Sequence, residues 1–111
     1  MIHTTGPPDT LAKLAELPPN EHVDIVHFYQ EMESLGLMVD ERMLDLDLVE
    51  KLLGSFVVDA WARYEPIIRS GREADPYLAE YFEALAVRLD RRMRTKPRVP
   101  AYERIAASDS T

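Results

Sequence analysis

Residues 47–72 read DLVEKLLGSFVVDAWARYEPIIRSGR, the longest run in the chain with sustained apolar periodicity and the one that holds its single Trp. Val49, Leu53, Phe56, Ala60 and Tyr64 recur at steps of four and three, which lays an apolar stripe along one side of a helix. Leu52, Val57, Val58, Trp61 and Ile68 fall on other arcs, so little of the helix surface is purely polar. A helix apolar on more than one side is normally enclosed by other helices. The stretch therefore predicts an all-α fold, a small bundle of three to four main helices around this central Trp-containing helix. Pro66 cannot donate to the carbonyl of Ala62 and disfavours helical geometry at Glu65, so the helix is expected to kink or break near Pro66. Gly54-Ser55 costs about 1 kcal/mol of helix propensity, and a close helix crossing is the expected compensation. Asp47–Lys51, Asp59–Arg63 and Glu65–Arg69 are acid-before-base pairs at i,i+4.

Working back toward the start, Asp47 is the expected N-cap of this helix, with Glu50 at the third helical position. Leu37 to Leu46 is too short for a core helix, and Asp40 caps at most one turn over Glu41 to Leu44. Asn20 caps a helix from Glu21 to Leu35, which Gly36 stops by taking a left-handed conformation. Asp9 caps a short helix from Thr10 to Leu17, ended by Pro18-Pro19, and Met1 to Pro8 form a flexible lead-in. Working forward, Gly71 terminates the central helix and Asp75-Pro76 starts the next. That helix runs to about Arg94 along the stripe Leu78, Phe82, Leu85, Leu89 and Met93. The domain layout is thus a lead-in at 1–8, a helical domain at 9–96, and a loosely held or disordered tail at 97–111 on which Tyr102 and Ile105 can dock a short turn.

At 111 residues the chain is one domain. It has no cysteine, hence no disulfide framework, no thiolate zinc site and no thiol nucleophile. That fits a reducing compartment, and the opening MIHTTGPPDT lacks the basic region and apolar run of a signal peptide, so a cytoplasmic location is expected. No apolar run reaches the roughly 18 residues a membrane span needs. The formal net charge of −7 repels phosphates and speaks against nucleic acid as a partner.

Asp24, His27 and Glu31 place two carboxylates and an imidazole on one helical face, a ligand type that di-iron bundles use twice together with further glutamates. No second such motif exists; His22 and His3 lie at the start of the same helix and in the lead-in. Asp40, Glu41, Asp45, Asp47 and Glu50 gather acidity, but without the glycine and alternating spacing of a calcium loop, so capping and solvation account for them. Trp61, Tyr64, Tyr77 and Tyr81 are spaced as core aromatics rather than as a ligand pocket. Arg88, Arg91, Arg92, Arg94 and Lys96 complement a helix C-terminus, with a phosphate or acidic-lipid role as the rarer reading. Ser34 and Ser55 have no His–Asp company, and no glycine-rich phosphate loop is present. No catalytic residue, metal or cofactor is expected.

From Phe28 to Arg92 the order of features resembles a bacterial family catalogued only as a domain of unknown function. The matching pieces are FYQEMESLGLMVDERMLDLDLVEKLLGSFVVDAW, then Tyr64-x-Pro66-x-Ile68 with Arg69 or Arg72, then YFEALAVRL. Many members carry an N-terminal transmembrane helix, which this sequence does not show. The resemblance implies an all-α fold and brings no activity. The leading expectation is a non-enzymatic, self-associating or protein-binding helical module, with apolar surface left around Leu37, Met38, Val39 and Met43. An acidic neutralising protein, antitoxin or inhibitor, bound to a basic partner is the second expectation. A metal or ligand carrier using Asp24, His27 and Glu31 is the third.

Overall fold

A computed structural model describes residues 9–109, and they form an all-α bundle. The helices are α1 (Leu11–Ala15), α2 (Pro19–Asp40), α3 (Leu46–Gly71), α4 (Glu80–Thr95) and α5 (Ala101–Asp109). The lead-in at 1–8 and His3 lie outside the described residues.

Several helix ends differ from the expected ones, each for a local reason. Thr10, not Asp9, caps α1, its hydroxyl accepting from the Lys13 N–H at 3.1 Å, while Asp9 pairs with Lys13 at 2.8 Å. The Pro18-Pro19 pair opens α2 directly, because a proline at the first helical position needs no N–H acceptor and already holds a helical φ. Asn20 is therefore inside the helix. α2 then passes straight through Gly36 to Asp40. The stop is Arg42 at φ 61°, a left-handed non-glycine residue, and the N–H groups of Met43 and Leu44 turn back to the Met38 carbonyl. Asp45, rather than Asp47, caps α3, accepting from the Asp47 N–H at 3.2 Å. This leaves Asp47 free for Lys51 and Arg92. α3 continues unbroken through Pro66, contrary to a break there, and ends at Gly71 as expected. Asp75-Pro76 makes only an isolated turn, with Asp75 accepting from the Tyr77 N–H at 3.1 Å; α4 begins at Glu80, after Ala79 at φ 55°. Within the expected tail, residues 101–109 are helical, with 101–108 exposed.

The core also sits elsewhere than the first stripe implied. On α3 the inward residues are Glu50, Gly54, Val57, Trp61 and Ile68, flanked by Val49, Ala60 and Ile67. Leu53 and Phe56, expected inside, are 38% and 52% exposed. The organising helix is α4, whose Phe82, Leu85 and Leu89 are sealed from solvent and which packs along both α2 and α3. α2 and α3 meet over it through rings, Phe28 lying 5.9 Å from Phe56 and 5.2 Å from Tyr64. Trp61 is buried as expected, edge-on to Phe82 at 5.2 Å.

Two residues one turn apart on α2 set its crossing with α4. Gly36 is buried against the α4 backbone, and a Cβ there would overlap the Tyr81 carbonyl. Glu33 reaches the start of α4 and accepts from the N–H groups of Tyr81 (2.9 Å) and Phe82 (2.8 Å), doing the work of an N-cap that Ala79 cannot. Partial burial pushes the Glu33 carboxyl above its ordinary range, against the lowering effect of the two N–H bonds. Both bonds fall on Oε1, so Oε2 can hold a proton without loss of the cap.

This arrangement separates wild type from two variants of Glu33. Glu33→Ala loses the cap and should cost about 1–2 kcal/mol at acidic pH, a deficit that narrows as pH rises above the ordinary glutamate range because the variant has no carboxyl to titrate. Glu33→Gln keeps an acceptor and removes the charge. Because the folded-state pKa is raised, the folded protein holds the proton more tightly than the unfolded chain. Wild type should therefore lose stability relative to Glu33→Gln as pH rises through the window just above the ordinary glutamate range. Thermal melts of the three proteins between acidic and neutral pH check this; parallel curves for wild type and Glu33→Gln would refute it.

Candidate interaction surface

The N-terminal half of α3 turns Leu48, Leu52 and Phe56 outward at i, i+4 and i+8, and they are 47%, 69% and 52% exposed. Leu53 borders them, and the Phe28 ring of α2 extends the surface beside Phe56. One turn further on, the same outward side of the helix carries the exposed Asp59 and Arg63. The apolar stripe is therefore confined to one half of the helix. Lys51 lies at its edge, paired with Asp47 at 2.8 Å.

The surface expected around Leu37, Met38, Val39 and Met43 is not a continuous one. Val39 is in the core and Met38 is half-buried, because α2 continues to Asp40 and turns these positions through a helical repeat; Leu37 and Met43 are exposed. The stripe at Leu48, Leu52 and Phe56 was missed because apolar residues all round a helix read as full burial. The signal available was its abrupt end at Asp59.

Behind the stripe, Glu50 is buried and forms a charge-assisted pair with Arg92 of α4 at 2.5 Å. Arg92 also reaches Asp47 at 2.6 Å, and this contact, with Lys51, holds the Asp47 carboxyl below its usual range; the Lys51 hydrogen bond is the stronger cause. Arg88 pairs with Asp40 at 2.7 Å and Arg94 with Asp90 at 2.9 Å. Arg92 thus ties Asp47 and Glu50 across the α3–α4 seam, Arg88 ties α4 to Asp40 at the end of α2, and Arg94 pairs within α4. Along that seam lies an open cleft of about 460 Å³, lined by Asp47, Glu50, Arg88, Arg91 and Arg92.

Arg72 closes the turn into α4. It donates to the carbonyls of Leu78 (2.9 Å) and Ala79 (3.3 Å), pairs with Glu83 at 2.6 Å, and lies 5.7 Å over the Trp61 ring. Of the aromatics singled out from sequence, Trp61 is buried and Tyr64 half-buried, whereas Tyr77 is exposed and Tyr81 half-buried. A cavity lined by Leu14, Ile25, Tyr29, Tyr64, Ile67 and Leu78 holds about 50 Å³. Ligand sites start at roughly 300 Å³, so it is a packing defect.

Asp24, His27 and Glu31 lie exposed on α2, and among the described residues no three His, Asp or Glu side chains gather closely enough to hold a metal ion. Ser34 and Ser55 are exposed. No helix among the described residues is long and apolar enough to cross a membrane.

Fold and surface together define a small helical domain built round α4, with an apolar stripe on α3. The chain matches, over residues 2–89, the family described as domain of unknown function DUF4760, and it belongs to that family. Comparison with curated proteins and with solved structures finds no match to either.

Proposed function

We propose that this domain is a non-enzymatic helical interaction module of the cytoplasm that associates with a second copy of itself. The observation that carries the reading is the outward stripe of Leu48, Leu52 and Phe56. Three large apolar side chains aligned on one helix face, ending sharply at a charged turn, are what a helix–helix contact uses. The seam beside them favours a structural role for its charges, since Glu50, Asp47, Asp40 and Arg92 are engaged with one another or with neighbouring cations.

Sedimentation of the wild-type chain over about 1–500 µM should show a reversible dimer, and Leu52→Glu should weaken it at least tenfold, a loss of about 1.4 kcal/mol. Because Leu52 is 69% exposed, its replacement should leave the melting temperature of the monomer nearly unchanged. A wild-type chain monomeric throughout that range would overturn the reading.

A further inference from the structure

We propose that the second copy is bound by exchange: α5 of each chain packs on the Leu48–Leu52–Phe56 stripe of the other. This rests on the self-association reading above and specifies its geometry. Residues 101–108 of α5 are all exposed, including Tyr102 at 74% and Ile105 at 54%, with Val99 just before the helix at 60%. Tyr102, Ile105 and Ala106 fall on one face. A nine-residue helix is below the roughly 12–15 residues at which an isolated helix becomes even marginally stable, and Tyr102 and Ile105 of α5 remain exposed, so α5 gains from packing on a further surface.

The stripe supplies a matching surface. Leu48 to Phe56 spans about 12 Å along α3 and α5 is about 13 Å long. Lys51 at the edge of the stripe, paired with Asp47 on its own helix but still 56% exposed, carries the charge opposite to Glu103 beside the apolar face of α5. The connector Pro97-Arg98-Val99-Pro100 starts α5 next to α3: Pro97, Arg98 and Pro100 share a groove with Glu50 and Ser55, and Arg98 lies 3.9 Å from Glu50. Its two prolines have fixed φ, and each disfavours helical backbone at the residue before it. A short stiff connector that cannot readily fold back is a setting in which identical elements are exchanged between copies. Exchange is isologous and makes the contact twice. With only a few side chains on each side, its Kd should be micromolar rather than nanomolar.

The chain has no cysteine, so introduced ones report cleanly. Full-length Leu52→Cys and Ile105→Cys chains are mixed and oxidised, and the products are mapped by peptide mass spectrometry. Exchange predicts a 52–105 link between chains in about tenfold excess over 52–52 and 105–105 links. A dominant 52–52 link would overturn the exchange and leave self-association through the stripe intact. A double variant that closes a 52–105 link within one monomeric chain would overturn it as well, assigning α5 to its own α3. Monomeric sedimentation with no link above that of a Ser34→Cys control would remove both proposals.

Discussion

Gly36→Ala should lower the stability of the domain by about 3 kcal/mol or more and its melting temperature by at least ~12 °C. Helix propensity alone predicts the opposite, a gain of about 1 kcal/mol, because Gly36 is inside a continuous helix. The steric argument outweighs it. The added Cβ would run into the Tyr81 carbonyl and crowd the Phe82 nitrogen, both of which belong to the α4 backbone. Backbone cannot turn aside as a side chain can, so α2 and α4 must separate along their length. Separation would also pull Glu33 away from the start of α4. Gly54→Ala is the internal control, since its Cβ would meet only side-chain atoms, Met93 Sδ at 3.0 Å and Glu50 Cγ at 3.3 Å, and it should cost far less than Gly36→Ala. A Gly36→Ala protein that melts at or above wild type would sink the close crossing.

Phe82→Ala should cost about 3–5 kcal/mol, a large share of the 5–15 kcal/mol available to a typical domain. Phe82 is sealed from solvent and touches the other two long helices, edge-on to Trp61 at 5.2 Å and to Phe28 at 6.5 Å. Phe82→Leu keeps most of the volume and should cost less than about 1.5 kcal/mol. Trp61 is the single Trp, so its emission reads the same event. In wild type it should be blue-shifted and resist an aqueous quencher, and in Phe82→Ala it should become accessible. An unchanged quenching rate in a folded Phe82→Ala protein would show that the two rings are not packed as described.

The helical class, the burial of Trp61, the buried Gly54 and the end of α3 at Gly71 were all legible from periodicity and glycine placement. Gly36 was not, because a glycine near a helix end and a glycine at a helix crossing look alike; only the repeat Met32, Gly36, Val39, all buried, separates them. The start of α4 was hidden for a different reason. Asp75-Pro76 has the local chemistry of a helix start, but the cap that matters is Glu33, and no reading of neighbouring residues finds a distant partner. The stripe was misjudged because α3 is apolar on two sides and only one of them meets α4. The family match covers most of the chain and agrees with the resemblance carried by the FYQEMESLGL, Trp61 and YFEALAVRL segments.

The cap that Glu33 places on α4 also bears on how the chain reaches its native state. The donors at Tyr81 and Phe82 lie 48 and 49 positions downstream of the acceptor, and Arg92 finds Glu50 across another 42. The most buried helix thus takes its boundary and its polar anchors from far-off parts of the polypeptide. Cut out as a peptide, it would begin nowhere in particular and fray. Loops of that length must close before these ties form, so the bundle has little means of assembling piecemeal, and α4 should become ordered together with α2 and α3.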